Sequence, residues 1–450
     1  MTDPIRRLLM VTYHFPPVGG GVERSLKHAT YLPRHGWQPV VVAPANSGYR
    51  IIDPASVSRI PADVEVHRAP TLEPAHLRRA IGWMVRRTPA SRPAPIGAGG
   101  AAPSAAPRSA LHGLRARANA AWAFAIPKLF FPDEQLLWIP GAILAGEEAH
   151  RRSGVDAIYS SAPPISGHLA AAVLAHHLGV PWIADFRDPW IGNAFAAPLP
   201  AVHRALQRQL ERSIVERADR TIFATSRWRE RYVERYPELA DRFVHVPNGY
   251  DRADLGDAGE PPARNEGPFR LIYAGSIYGE RELGLFLDGL ALAIERDPSL
   301  RDRLRVEFVG WLSARNLAVA EARRSEFGPI VSFPGFRPRA EVIAMQRSAD
   351  AGLILISDDP GRDADVNAKL YEYIGLDLPV LAVAPPGETH ATLGELDWGV
   401  GADPGQEAIA DGLAAIMALP RPDRPADPEG RYDRQRLAGR LAGLLDEIII

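Results

Sequence analysis

At 450 residues, 46% of them hydrophobic and 24% charged, the chain has the composition of a globular protein and exceeds what one core normally serves, so two domains are expected. A net charge of −2 gives no whole-chain argument for a nucleic-acid partner, and the absence of cysteine excludes a disulfide framework, thiol catalysis and thiolate metal sites. It is compatible with a reducing cytoplasm.

Arg6 and Arg7 before Leu8-Leu9-Met10-Val11 imitate the start of a signal peptide, but the apolar run meets His14 and Pro16-Pro17 at once and reads as a buried first strand over Leu8–Tyr13. No apolar run is long enough to span a bilayer, so any membrane contact is expected to be peripheral. Gly19, Gly20 and Gly21 then precede a helical pattern over Val22–His35, which lets backbone N–H groups at a helix N-terminus approach an anion. The loop is neither G-x-G-x-x-G nor a Walker A sequence, and a tight turn would use the same glycines. Gln38–Ala43 is the next strand.

The stretch from about Leu72 to Phe131 differs in character. Arg78, Arg79, Arg86, Arg87, Arg92, Arg108, Arg115, Arg117 and Lys128 stand against Glu73 alone, interleaved with Trp83, Met84, Trp122, Phe124, Phe130 and Phe131. The Pro/Ala/Gly-rich middle of this insertion has no pattern for fixed structure. Basic residues with aromatic neighbours suit an anionic membrane surface or a polyanionic acceptor, and equally a flexible insertion flanked by packed helices.

From Ala157 an α/β rhythm returns, with a strand at AIYSSAP, a helix over Ile165–Leu178 and a strand over Trp182–Phe186. That strand runs into Arg187 and Asp188, so Asp185, Arg187 and Asp188 are expected at the C-terminal edge of a parallel sheet, where ligands bind. Arg204–Val215 reads as an amphipathic helix, Arg220–Thr225 and Phe243–Val246 as strands, with Ser226 as an N-cap. The polar, Pro-rich run after Asp251 reads as a linker. Expected domains are therefore 1–250, with the insertion at about 72–131, and 268–430, joined by a linker at 251–267, with a terminal helix over 431–450 packing back on the first.

The second half repeats the alternation. Strands are expected at Arg270–Ala274, Arg305–Val309 and Ile330–Phe333, and helices at Leu283–Glu295 and Glu341–Ser348. Gly275 opens a loop in which Arg281 lies close to a helix start, placed to join that N-terminus in holding a diphosphate. Strand Ala351–Ile356 and strand Pro379–Ala384 then enclose a short helix carrying Lys369 and Glu372, a βαβ crossover of a parallel sheet. Three residues apart, the two side chains share one helical face, where a cation suits a phosphate and a carboxylate suits paired hydroxyls of a ribose or sugar. A solvated ion pair would have the same spacing. After Val383 the pattern fades into Trp398–Ala402, and a helix at Glu407–Leu419, a Pro/Asp-rich hinge and a last helix at Tyr432–Ile448 complete the reading. No metal-ligand spacing of His with Asp or Glu occurs, and no G-x-S-x-G elbow.

Phe15-Pro16-Pro17 with Gly19-Gly20-Gly21-Val22-Glu23, Val246-Pro247-Asn248-Gly249 at the linker, and Lys369-Leu370-Tyr371-Glu372-Tyr373 with Pro379-Val380-Leu381 resemble, in combination and order, the GT-B glycosyltransferases and specifically family 4. The likeness extends over nearly the whole chain apart from the insertion. It implies two Rossmann-like domains facing each other across a catalytic cleft, with the nucleotide sugar held mainly by the C-terminal one. By resemblance Glu372 binds the ribose hydroxyls, Arg281 and Lys369 neutralise the diphosphate as it leaves, and the Gly19–Gly21 amides close over the phosphates. Closure about Asn248–Pro268 would exclude water. The family commonly has a further Glu seven residues before the second; here that place holds Ala364, and either Asp363 or Asp365 stands in for it or the contact is absent. Where many members have His before Asp, this chain has Arg187-Asp188.

The resemblance implies a retaining transferase that moves a sugar from a nucleotide diphosphate donor to a hydroxyl of a glycan or lipid-linked acceptor, in cell-surface polysaccharide or glycolipid synthesis, by front-face displacement without an essential metal or cofactor. The expected setting is cytoplasmic, with peripheral contact to an anionic membrane through the insertion. A nucleotide-sugar epimerase on the same site, or a non-catalytic glycan- or partner-binding scaffold with a decayed site, are the alternative readings.

Overall fold

The computed structural model describes residues 5–19, 21–49, 52–76, 126, 129–193, 199–256, 267–277, 282–420 and 423–449. Their strands form two parallel sheets of seven and six strands. The first contains β1 (Arg6–Thr12), β2 (Trp37–Pro44), β3 (Glu65–Ala69), β4 (Ala157–Ala162), β5 (Trp182–Phe186), β6 (Arg220–Phe223) and β7 (Phe243–His245), in the order β3-β2-β1-β4-β5-β6-β7. The second contains β8 (Phe269–Ala274), β9 (Leu304–Val309), β10 (Val331–Gly335), β11 (Ala351–Leu355), β12 (Val380–Val383) and β13 (Gly399–Ala402), in the order β10-β9-β8-β11-β12-β13. The chain falls into two compact units, Met1–Ile191 with Ala196–Thr221 and Ile448–Ile450, and Gly192–Phe195 with Ile222–Glu447.

Helices of two turns or more are α1 (Glu23–Tyr31), α2 (Ile139–Ser153), α3 (Ser166–Leu178), α4 (Ala201–Arg217), α5 (Ser226–Arg235), α6 (Glu282–Arg296), α7 (Ala314–Ala322), α8 (Arg339–Arg347), α9 (Ala368–Gly375), α10 (Glu388–Leu396), α11 (Gln406–Ala418) and α12 (Arg434–Ile448). The second sheet shows why its strands read as unbroken apolar runs. Side chains alternate between its faces, so Leu353 and Leu355 join a core with Leu283, Phe286 and Leu290 of α6, whereas Ile354 joins another with Leu370, Tyr371 and Ile374 of α9. With helices on both faces, neither set of side chains meets water.

Each sheet winds outward from its first strand and then reverses. The reversals fall between β1 and β4 and between β8 and β11, and at such switch points the loops after the two strands diverge and leave a crevice.

Four of these elements escape the sequence pattern, one of them α10, in the stretch after Val383 where the pattern fades. β3 is an edge strand whose Glu65 is exposed and whose His67 and Arg68 are only half-buried, so its sequence lacks an apolar run. α2 opens on Ile139-Pro140-Gly141, which looks like more of the preceding Pro/Gly-rich stretch; proline at a helix's first turn is, however, well tolerated. α7 exposes Leu317 and follows an ordinary-looking loop. The expected helix over Val22–His35 breaks where Pro33 tightens it into a 3-10 turn. Ser226 is the first residue of α5; the cap is Thr225, whose side chain accepts from Trp228 N at 3.4 Å. Most of the basic insertion, 77–125 with 127 and 128, and residues 257–266 of the linker lie outside the described residues.

Candidate active site

At the switch point of the first sheet the loop after β1 is held from below by a buried ion pair. Arg24, in the first turn of α1, donates through Nε to Asp185 Oδ2 at 2.6 Å and through Nη2 to Oδ1 at 3.0 Å, and Tyr159 O–H also donates to Oδ2. Arg24 and Asp185 are 2% and 0% exposed. Burial alone would lower the Arg24 pKa, but the charge of Asp185 beside it holds it above the ordinary value. Such a pair adds little net stability against an apolar substitute, yet losing one partner strands the other charge, so it fixes α1 against the end of β5.

Arg187 then reaches over to the loop. Its Nη1 donates to Gly21 O at 2.7 Å, while its Nε meets Asp188 Oδ2 at 3.2 Å. Gly21 has φ +67°, a conformation that demands glycine, and a Cβ there would lie 2.5 Å from Arg187 Nη1 and push the guanidinium aside. Gly19 is buried; Gly20 lies outside the described residues. His14, 8% exposed, sits edge-on to Tyr13 and Tyr49. Across the crevice, half-buried Asp133 accepts from Ser166 N at 2.9 Å and Ser166 Oγ at 2.6 Å at the start of α3.

At the switch point of the second sheet, β8 pairs with β11 only through Leu271 with Ala351 and Ile272 with Gly352, and beyond that the strands separate. The hydroxyl of Tyr373, from α9, fills the opening. It donates to Ile272 O at 3.0 Å and accepts from Ala274 N at 3.1 Å. Burial drives its pKa well up, so it stays a neutral hydroxyl. This pins α9 to the sheet edge.

Lys369 lies one turn before Tyr373 on the same side of α9, with Glu372 three residues after it and so still within reach. Asn367 caps the helix, accepting from Lys369 N at 3.1 Å. The Lys369 ammonium lies 4.7 Å from the centre of the Tyr273 ring, a cation–π contact that steers it toward the end of β8. There Gly275, at φ +134°, leaves the room it needs, since a Cβ would collide with the Lys369 side chain and lie 3.0 Å from Nζ. Glu372 Oε1 accepts from Gln346 Nε2 at 2.7 Å, and Oε2 meets Arg339 Nη1 at 3.3 Å. A cleft of about 190 Å³ opens on the same sheet edge, lined in part by Leu285, Ser357, Asp358, Asp359 and Pro404.

The structure therefore brings Gly275, Lys369 and Glu372 together, and separately Gly21, Asp185, Arg187 and Asp188. Of the carboxylates flanking buried Ala364, Asp363 accepts from Arg231 Nη2 at 2.7 and 2.8 Å and lies 3.3 Å from Arg227 Nη1, and Asp365 pairs with Arg362 at 3.2 Å. Arg281 lies outside the described residues. Arg24, Gln346 and Tyr373 are the residues the sequence reading missed. Arg24 and Gln346 sit at polar positions of amphipathic helices that read as solvated, and only the fold supplies their partners. The seven-residue spacing of Arg339 and Gln346, two turns on one face of α8, was the available signal. Among the described residues no group of three His, Asp or Glu is placed to hold a metal ion, and no helix is long and apolar enough to cross a membrane.

Residues 102–254 match the profile of Glycosyltransferase Family 4. The D-inositol 3-phosphate glycosyltransferase of Frankia alni is 27% identical over 323 residues, covering 67% of this chain and 73% of the relative. Among solved structures, HepE of Anabaena in complex with UDP superimposes with a TM-score of 0.60 at 12% identity, over 98% of this chain and 100% of that one. The lipopolysaccharide outer core galactosyltransferase WaaB in its apo form gives 0.59 at 13% identity, over 98% and 99%. Sucrose-phosphate synthase from Thermosynechococcus elongatus gives 0.59 at 15%, over 98% of each chain.

Proposed function

We propose that this chain, a glycosyltransferase of GT-B fold and family 4 type, moves a sugar from a nucleoside diphosphate donor to a hydroxyl of a glycan or lipid-linked acceptor with retention of configuration. The observation that carries the donor reading is the placement of half-buried Lys369 and Glu372 three residues apart on α9, at the switch point and over the opening that Gly275 leaves. Glu372 presents acceptors to the ribose hydroxyls, and Lys369 presents a compact cation to the diphosphate. The UDP bound by HepE supports this class of donor.

In the reaction the bond from the sugar's anomeric carbon to the β-phosphate oxygen breaks, and a bond to the acceptor oxygen forms on the same face. The acceptor's proton passes to the departing phosphate. Negative charge grows on that phosphate, and fixed cations stabilise it most where water is excluded. Lys369, with Arg281, supplies that charge here, so no metal is required. Arg187, held against Gly21, keeps the loop after β1 in one conformation. The acceptor is membrane-associated in this reading, with the basic insertion meeting anionic lipid at the cytoplasmic face; the outer-core role named for WaaB is in keeping with it.

Calorimetric titration with UDP, GDP, dTDP and ADP tests the donor site. One nucleotide should bind at micromolar concentration, and Glu372→Ala or Lys369→Ala should each weaken it roughly tenfold or more, as expected for loss of a charge-assisted contact. Absence of binding by all four at millimolar concentration would leave the scaffold reading in its place. The anomer of the product, read by NMR, decides retention.

A further inference from the structure

We infer that Gln346 is a positioning residue that sets the orientation of the Glu372 carboxylate for recognition of the ribose diol; the inference rests on the reading of Glu372 as the ribose ligand. Gln346 lies on α8 and is 0% exposed. Its Nε2 donates to Glu372 Oε1 at 2.7 Å, while its own Oε1 is buried and meets no hydrogen-bond partner among the described residues. A buried acceptor without a partner is costly, and turning the amide over would not cure it, because the carbonyl would then face a carboxylate that only accepts. The carboxylate therefore fixes the amide, and the amide in return fixes the carboxylate. A leucine or methionine here would pack without stranding any polar atom, so packing gives no reason for glutamine.

The two oxygens of Glu372 are held unequally. Oε1 is tied to a buried side chain with no freedom to move. Oε2 faces Arg339 at 3.3 Å, and that side chain is 60% exposed, so water and the ligand compete with it readily. A carboxylate offers about four lone-pair sites, and Gln346 takes one, leaving the rest for a pair of hydroxyls. The amide is also neutral. A lysine or arginine in its place would pair with Glu372 and compete with the hydroxyls for its charge, whereas glutamine orients the group without neutralising it.

The experiment compares affinities for UDP and GDP with those for their 2′-deoxy counterparts, by calorimetry, in the wild type, Glu372→Ala, Gln346→Leu and Gln346→Glu, with melting curves as a check on folding. The wild type should prefer whichever ribonucleotide it binds over its deoxy form, and Glu372→Ala should abolish the preference. Gln346→Leu should shrink it at least threefold, a readout that loss of packing alone would not move. In Gln346→Glu two carboxyls must share a proton across the contact, so the preference should approach that of the wild type at low pH and fall as pH rises. This isosteric variant keeps the inference testable if Gln346→Leu does not fold. Loss of the preference in Glu372→Ala but not in either Gln346 variant, at any pH, would overturn the role of Gln346. A preference that survives Glu372→Ala, or failure of both nucleotides to bind the wild type, would overturn the ribose reading itself.

Discussion

His168 shows how one side chain can set the acid limit of a fold. It sits on α3, 0% exposed, with its ring 4.7 Å from that of Phe186. Ser160 Oγ accepts from Trp182 Nε1 at 2.8 Å and is hydrogen-bonded to His168 Nδ1, also at 2.8 Å. The other ring nitrogen, Nε2, is buried with no hydrogen-bond partner among the described residues. A charge there would have nothing to meet it, and burial pushes the pKa from 6.5 down to about 3. Between those values the unfolded chain holds a proton that the folded chain does not. Stability from this group is therefore complete above pH 6.5 and is lost as pH falls toward 3, by on the order of 3–5 kcal/mol. Urea unfolding between pH 4 and 7 should show this slope in the wild type and a flatter one in His168→Gln, whose neutral amide can still pair with Ser160. An unchanged slope would show that other groups govern acid unfolding.

At the scale of elements, the helix that supplies a site residue is less informative than what anchors it. α5 begins with its free N–H groups turned to one carboxylate: Glu388 accepts from Ser226 N at 2.8 Å, Ser226 Oγ at 2.7 Å and Arg227 N at 3.0 Å. Glu388 itself opens α10 and is 6% exposed. Two turns of α5 also reach Asp363 through Arg227 and Arg231, so the segment before α9 is tied to the same helix. Glu388→Ala should cost about 1–3 kcal/mol and lower Tm by several degrees, with Glu388→Gln intermediate, measured by scanning calorimetry. Equal melting of all three proteins would mean that this cap is redundant. These anchors explain what the sequence could and could not disclose. Lys369 and Glu372 were legible because three residues place them on one face of a helix by geometry alone. The partner of Glu372 stands 26 residues away and that of Arg24 stands 161 away, distances at which pattern carries no information and only the fold brings groups together.

For the whole molecule, the parallel sheets were legible because strands covered on both faces must be apolar throughout, as Ala351–Leu355 is, and the edge strand β3 was not because one side of it needs no such cover. The basic insertion belongs to this scale too. With a net charge of −2 the chain has no overall attraction to anionic lipid, so membrane binding has to come from the local excess of nine cations between Arg78 and Lys128. At about 1 kcal/mol per basic residue near an anionic surface, replacing Arg78, Arg79, Arg86 and Arg87 by glutamine should weaken binding to phosphatidylglycerol vesicles at least tenfold, and added salt should do the same to the wild type. Vesicle co-sedimentation measures both. If the wild type stays in solution with such vesicles at low salt, a soluble acceptor becomes the better reading.

The strand orders 3-2-1-4-5-6-7 and, counted from β8, 3-2-1-4-5-6 are the same winding rule followed twice. One recipe thus yields two crevices of matching design, each at the reversal beside a first strand. They are not chemically equivalent. One has an ammonium and a carboxylate on a pinned helix, while the other is a glycine turn braced by arginines whose charges are largely spent on holding it. On the reading proposed above, donor recognition would rest on the α9 face and acceptor choice on the crevice beside β1. An engineer working from that reading would vary the crevice beside β1 and leave the α9 face alone.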